Sequence, residues 1–310
     1  MNYFMIIVPK MIGFLVLVII GVLAARFGVI KKDALPSISG FLIKVVLPAL
    51  TISLVVENQT TFSSLIQYSN VVIAQVAMYV ILAVVGVVGS KLCRLQGTMK
   101  NVYRGCMVGG NYGFLVIPLI MALFAKEGGS RYIPICSVVD TTIVWTLGFV
   151  LFTQGVGQKD NPWKKIVLNP IFISILVALF ITSFHVSVPG ALMSVIDSVG
   201  STSYSWGLIY LGCNLGFMDF RELLRYKSIL FLSFSKLLLV PLLVYRLISF
   251  FLPHMESLLL MLICAAPSMT TSCMIAGQYY LDEEYASAVV VTTTLLCMIT
   301  IPVLFLIVSF

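Results

Sequence analysis

Residues 105–118 combine helix breakers with a side chain that can hold a ligand: Gly105-Cys106-Met107-Val108-Gly109-Gly110-Asn111-Tyr112-Gly113-Phe114-Leu115-Val116-Ile117-Pro118. The carboxamide of Asn111 offers both donors and an acceptor. Pro118 removes a backbone donor and clashes with the carbonyl four residues back. Gly105, Gly109 and Gly113 stand four apart, a small-residue face that lets helices approach closely. A second interruption, Ala265-Ala266-Pro267-Ser268, is followed by the hydroxyls of Thr270 and Thr271. Where a helix restarts after a break, its free N–H groups carry about half a positive charge and attract anions. These two runs can therefore hold a small carboxylate. Asn111, Tyr112, Gly113 and Pro118 would form one side, and Pro267, Ser268, Thr270 and Thr271 the other.

Ionisable groups inside apolar runs are costly and are functional candidates. Asp140 lies about ten residues into one such run. It can take up a coupling proton, pair with a cation, or be satisfied by the adjacent Thr141 and Thr142. Lys44 stands four residues before Pro48 and can pair with an anion or with Asp140, or reach an interface along its own stem. Lys236, before Pro241, is read as reaching an interface in the same way. Tyr210 and Asn214, with Pro48, are expected on the facing, scaffold side of the site as polar packing groups.

The elements that must position these residues follow from composition. The 310 residues are 60% hydrophobic and 10% charged, with mean hydropathy +1.09, where soluble domains carry about 25% charge. The apolar runs last about 20 residues, the length of a spanning helix; a β-barrel would alternate over ~10-residue segments. The expected fold is all-α and polytopic, with ten spans near 5–27, 35–56, 69–92, 101–125, 131–153, 165–185, 193–216, 228–250, 256–279 and 284–309. Both interruptions fall inside spans, the fourth and the ninth. In lipid, broken backbone persists only where it is buried or lines a cavity, and paired breaks in two halves point to a transporter's binding site.

Net charge is +7, and the basic residues lie between spans, so no nucleic-acid partner is expected. Most of the 19 Lys and Arg collect in the loops after spans one, three, five and seven: Arg26, Lys31, Lys32, Lys91, Arg94, Lys100, Arg104, Lys159, Lys164, Lys165, Arg221, Arg225 and Lys227. The positive-inside rule makes those loops cytoplasmic and both termini extracytoplasmic in a multi-pass cell-membrane protein. The acidic run Asp282-Glu283-Glu284 does not oppose this, because acidic residues count little. Met1-Asn2-Tyr3-Phe4 has no basic region and no cleavage site follows, so no signal peptide is expected. Seven cysteines form no CxxC pair and mostly lie within spans as small packing residues. With two His and no HxxxH, neither a metal nor a cofactor is expected.

The connection 155–164 divides the chain into halves 1–155 and 156–310 of five spans each. An odd number per half gives opposite orientations, the inverted-repeat arrangement. Shifted by 153, span five falls on span ten with Tyr132/Tyr285, Val138/Val291, Thr141/Thr294, Val150/Val303, Leu151/Leu304 and Phe152/Phe305 identical.

Gly110-Asn111-Tyr112-Gly113-Phe114-Leu115-Val116-Ile117-Pro118-Leu119 resembles the fourth-span motif of the auxin efflux carrier family. Leu47-Pro48-Ala49-Leu50 looks like its second-span signature, and Ala266-Pro267-Ser268 through Ala276, then Asp282 and Ser287, its ninth-to-tenth-span pattern. The resemblance runs the length of the chain in order. Val116 departs from it, standing where many members carry Gly, and the long central loop of many plant members is absent, as in short bacterial-type members. The resemblance implies a fold like that of bile acid–sodium symporters. Spans 1, 2, 6 and 7 would form a scaffold, and spans 3–5 and 8–10 a transport domain whose broken helices cross at the substrate site. It also implies small organic anions, auxin-like or malate- and malonate-like, moved by alternating access.

The expected partners are thus a small carboxylate, the lipid bilayer and a second copy of the chain. The membrane potential supplies about 2.3 kcal/mol per charge per 100 mV, so an anion exporter needs no coupled ion, whereas an importer needs a proton or sodium. The alternative is a proton- or sodium-coupled symporter or antiporter of another small solute, whose site would be a carboxylate pair; only Asp140 is visible for it. A ligand-binding receptor that never moves its ligand is a third class. An enzyme is disfavoured, because no His, Glu and Asp cluster reaches one face of the bilayer.

Overall fold

The computed structural model describes residues 3–155, 168, 170–217 and 226–308, and its regular elements are helices. Helix α1 is Tyr3–Arg26. Helix α2, Lys32–Glu57, runs without a stop through a π-helical turn. After the short α3 (Phe62–Gln67) come α4 (Ser69–Leu92), α5 (Gly97–Val108), α6 (Tyr112–Leu123) and α7 (Gly129–Thr153). The second half supplies α8 (Pro170–Ser183), α9 (Gly190–Ser201), α10 (Ser203–Phe217) and α11 (Lys227–Ile248). It ends with α12 (His254–Cys264), α13 (Thr271–Gln278) and α14 (Glu283–Val308).

Among the described residues, α2, α4, α7, α11 and α14 are long and apolar enough to cross a membrane, and Ile12–Arg26, α6, α8 and α12 are shorter apolar helices. Their outer faces expose Ile73, Val84, Phe234, Leu243 and Ile299, an apolar surface far more suited to lipid than to water. The central connection and the loop carrying Arg221 and Arg225 lie outside the described residues.

Three helices accommodate a proline by one device. Each of Pro48, Pro118 and Pro241 follows a five-residue π-helical turn: Leu42–Val46, Tyr112–Val116 and Ser235–Leu239. The residue before each proline bonds five back, Leu47 N–H to Leu42 O, Ile117 N–H to Tyr112 O and Val240 N–H to Ser235 O. A proline ring would strike the carbonyl four residues back; the wider turn moves that carbonyl aside. Lys44 and Lys236 each stand within such a turn.

The expected seventh span is two helices, α9 and α10, divided at Thr202. The Thr202 N–H and Oγ1 both donate to Val199 O, at 3.2 and 2.7 Å. The turn therefore tightens and divides the two helices. Just before it, a Cβ on Gly200 would lie 2.7 Å from the backbone of Leu50 in α2. Helices α1 and α10 pack still closer, because a Cβ on Gly21 would lie 2.1 Å from Ile209 O and one on Gly212 2.0 Å from Val18 O. Around this pair, α2 lies against α8 and α9. On the other side α4 packs on α5 and α7, and α14 on α5, α11 and α13.

Candidate functional site

Helix α5 stops at Val108 and α6 begins at Tyr112; α12 stops at Cys264 and α13 begins at Thr271. The two gaps cross as a single antiparallel β-bridge between Gly110 and Ser268. Asn111 N–H donates to Pro267 O at 2.8 Å, and Met269 N–H to Gly109 O at 3.2 Å. The freed backbone thus satisfies itself, which is what lets broken helix persist at such depth. At 110 the approach favours glycine, since a Cβ would meet that of Ala266 at 3.0 Å, whereas at 109 a Cβ would meet the movable end of Met269.

The carbonyls at the end of α5 find partners on other elements. Cys106 O accepts from Ser268 Oγ at 2.9 Å, and Met107 O from Lys236 Nζ at 2.7 Å. Ser268 is further fixed by its N–H donating to Thr293 Oγ1 at 3.0 Å. The end of α12 closes on its own chain instead: Ala265 N–H donates to Met261 O, and Ala266 N–H to Ile263 O. Neither α6 nor α13 has a side-chain cap at its N-terminus.

A cleft of about 90 Å³ opens beside the crossing, lined by Asn111, Gly113, Asp140, Trp145, Thr270 and Thr271 among others. Asn111 is 4% exposed, and among the described residues its carboxamide makes no hydrogen bond. Asp140, on α7, accepts from Tyr79 Oη of α4. Two larger cavities flank this level. One, of about 430 Å³, is lined by Lys32, Asn214, Phe217, Thr270, Glu283 and Ser287. The other, of about 350 Å³, is lined by Ser53, Glu57, Pro118, Asp197 and Tyr204. Lys32 and Glu57 are the two ends of α2, roughly 39 Å apart at a helical rise of 1.5 Å per residue. The cavities therefore open at opposite ends of the molecule, and Thr270 is common to the first and to the central cleft.

The residues expected to form the site divide accordingly. Asn111, Tyr112, Gly113, Thr270, Thr271 and Asp140 line the cleft together. Tyr112 offers its ring, while its hydroxyl donates to Ile133 O at 2.9 Å. Gly113 allows α6 to touch α2, where a Cβ would stand 3.1 Å from Leu47. Pro267 contributes its carbonyl to the bridge. Ser268 is fully buried and its hydroxyl is committed to Cys106 O. Pro118 belongs to the cavity at the Glu57 end. Asn214 lines the Lys32-end cavity and donates to Tyr210 O at 2.9 Å; Tyr210 is buried in an apolar cluster with Leu47 and Phe114. Pro48 follows its π-turn outside all three cavities.

Two readings of the charged residues are corrected, those of Lys236 and Asp140, while for Lys44 one of the two alternatives falls away. Lys236 does not reach an interface; it is 1% exposed and bound at the end of α5. Asp140 is not satisfied by its neighbouring threonines: Thr142 Oγ1 donates to Val138 O, and the bond to Asp140 comes from Tyr79. Lys44 is exposed, and among the described residues it makes no ion pair with Asp140. Tyr79 and Thr293 went unsingled by sequence reasoning, although a mid-span tyrosine and the run Thr292-Thr293-Thr294 were signals for them. Among the described residues no three His, Cys, Asp or Glu side chains gather into a metal-binding group.

Comparison with known proteins agrees with this architecture. A family model described as "Membrane transport protein" matches residues 6–305. The chain is similar to an uncharacterized transporter, MJ1031, of Methanocaldococcus jannaschii, with 22% identity over 209 residues. That match covers 65% of this chain and 66% of the relative, just under two thirds of its length. With a family match running almost from end to end, the chain belongs to the auxin efflux carrier family of membrane transport proteins.

Proposed function

We propose that the protein is a secondary transporter that moves a small organic anion, an auxin-like or malate- or malonate-like carboxylate, by alternating access. One observation carries the reading: at the crossing, two uncapped helix N-termini meet a buried, unpartnered Asn111 carboxamide in a cleft too small for more than a carboxylate and a few waters. The dipole ends of α6 and α13 supply positive potential, and Asn111 with Thr270 and Thr271 supplies hydrogen bonds. The body of the substrate extends past Thr270 into the 430 Å³ cavity, a volume typical of small-molecule sites. By the charge bias of the loops this cavity faces the cytoplasm.

In this reading the halves 1–155 and 156–310 are inverted repeats. Most of the paired positions behave alike: Tyr132 and Tyr285, and Phe152 and Phe305, are buried, and Val150 and Val303 are exposed, while Val138 is half-buried where Val291 is buried. The α1–α10 pair with α2, α8 and α9 forms the scaffold, and the remaining helices carry the crossing past it as an elevator. Gly113 against Leu47 and Gly207 against Phe114 are the close contacts across that boundary. Asp140 favours a proton-coupled version of the same transport, because an ionised carboxylate in the cleft would repel an anion. A cation-coupled symporter or antiporter of another solute is the second reading, and it rests on that residue alone.

A thermal-shift screen of purified protein against indole acetate, malate, malonate, lactate and bile acids tests this proposal. One or more of the small carboxylates should raise Tm, and uptake of that compound into proteoliposomes should saturate. Stabilisation by cations or neutral solutes with none by any carboxylate would overturn it.

A further inference from the structure

At the end of the molecule where α4 stops and α5 begins, one buried positive charge has no negative partner among the described residues. Arg104 of α5 is 7% exposed. A guanidinium has five N–H donors, and the structure gives partners to two of them: Nε donates to Ser90 Oγ at 2.8 Å and Nη1 to Gln154 Oε1 at 3.0 Å. Both acceptors are neutral. Helices α4 and α5 contain no Asp or Glu, and the one acid of α7 is Asp140. Asp140 is bonded to Tyr79 and stands roughly 21 Å from Gln154 at a helical rise of 1.5 Å per residue. The acids at the start of α14 are engaged elsewhere: Asp282 Oδ1 accepts from Tyr285 N–H, and Glu283 and Glu284 line the 430 Å³ cavity. Lys91, exposed, adjoins Ser90, and Lys100, half-buried, lies one turn before Arg104, so more positive charge collects at this end. A buried charge is costly unless it is paired.

We propose that Arg104, Ser90, Asn101 and Gln154 form a site for a phosphate group that also carries a hydroxyl, from a phospholipid headgroup or from soluble phosphate. The guanidinium fork matches phosphate in two parallel bonds. Nη2 has no partner among the described residues. Gln154 is exposed and covers Nη1 with a flexible side chain. A phosphate oxygen can displace its Oε1 and bring the missing charge, while Ser90 keeps Nε in place. Asn101 is an independent sign of a ligand. It is 3% exposed; its Nδ2 donates to Gln154 O at 2.7 Å, and its Oδ1 has no partner. That oxygen needs a donor, which a P–OH or a headgroup hydroxyl supplies. The site ties α4, α5 and the end of α7 together. In the orientation proposed above it faces the cytoplasm, where basic groups beside a membrane attract anionic lipid. Nothing in it depends on which solute is transported.

Thermal unfolding of the full protein in detergent, with no carboxylate present, tests the site. One arm compares inorganic phosphate with chloride at equal ionic strength. The other compares mixed micelles of phosphatidylglycerol with those of phosphatidylcholine, which has neither net charge nor hydroxyl. At least one arm should raise wild-type Tm by about 2 °C or more once the ligand exceeds its Kd about tenfold. A response to the lipid alone assigns the headgroup, and a response to free phosphate assigns the soluble source. Arg104→Gln should lose the response, and Gln154→Ala, which uncovers Nη1, should keep or enlarge it. Asp160, in the central connection outside the described residues, is the internal alternative for the counter-charge; Asp160→Asn should leave both Tm and the response unchanged. No wild-type response in either arm would overturn the proposal. An equal response in Arg104→Gln, or a lower Tm in Asp160→Asn, would do the same. Should Arg104→Gln not fold, Asn101→Ala decides: it removes the acceptor for the ligand's hydroxyl and should raise the ligand concentration needed by about threefold or more, and an unchanged requirement would refute the site.

Discussion

Replacing Asn111 with alanine separates a ligand-holding carboxamide from a structural one. The side chain is 4% exposed and makes no hydrogen bond among the described residues, so its removal breaks no internal bond. Its polar atoms border the cleft and are not among the buried unpaired ones, so Asn111→Ala relieves no desolvation cost. What remains is the loss of a few packed atoms, about 1 kcal/mol, limited because the group borders an existing cleft. The net change in stability is a loss of about 1 kcal/mol or less, while carboxylate-dependent stabilisation and uptake are lost. Asn111→Asp, of nearly the same shape, should also lose uptake, by placing a like charge at an anion site. Thermal unfolding of the three purified proteins, with and without the carboxylate found by screening, measures both quantities. A fall of several degrees in the unliganded alanine variant would show that the carboxamide holds the fold. Undiminished uptake would remove Asn111 from the site.

Asp140→Asn keeps an acceptor for Tyr79 and should fold, but its transport should not vary with pH where that of wild type does; a retained pH profile would assign proton coupling elsewhere. Tyr79→Phe leaves the half-buried carboxyl without its donor and should cost about 1 kcal/mol, read as a drop in Tm. Gly212→Val should lower Tm sharply or prevent folding, since even a Cβ would stand 2.0 Å from Val18 O, whereas Gly40→Ala, with nothing within 4 Å, should be silent. In a cysteine-free background, Arg94→Cys should label only from the cytoplasmic side and Gln59→Cys only from the outside; labelling of both from one side would refute the orientation.

The helical class, the apolar runs and both breaks were legible because glycine and proline act locally: Gly109-Gly110 and Pro267 interrupt a helix whatever surrounds them. The π-turns before Pro48, Pro118 and Pro241 were not, because a proline announces a clash without saying how the chain relieves it. The division at Thr202 escaped for a related reason. Gly200 stands two residues before it, but one glycine inside a helix does not announce a break, and the division depends on a threonine turning its hydroxyl back to Val199 and on α2 pressing against that glycine. Among candidate site residues, Asn111, Tyr112, Gly113, Thr270 and Thr271 fell around the cleft, since chain connectivity to the breaks carried them there, whereas Ser268 and Pro267 were taken up by the bridge itself. Partners brought by other helices were invisible. Nothing in the neighbourhood of Asp140 names Tyr79, and nothing near Lys236 distinguishes it from Lys44, which has the same relation to a proline and ends exposed.

That contrast bears on how the two breaks differ. The end of α12 closes through Ala265 and Ala266 on its own backbone and needs nothing from outside. The end of α5 is held by Ser268 from the other broken strand and by Lys236 from α11. Moving α5 alone would strand a buried charge and two carbonyls, which costs far more than moving the crossing as one body. The bridge between Gly110 and Ser268 ties the two breaks in the same way. Relative motion is instead least costly where contacts are apolar and made through glycine, at Gly113 on Leu47 and Gly207 on Phe114. The arrangement of polar bonds thus predicts which surfaces slide. A crosslink between the two broken strands, placed away from Gly110, should leave transport intact, whereas one between 113 and 47 should arrest it. Arrest by the first crosslink would mean that the broken helices part during the cycle.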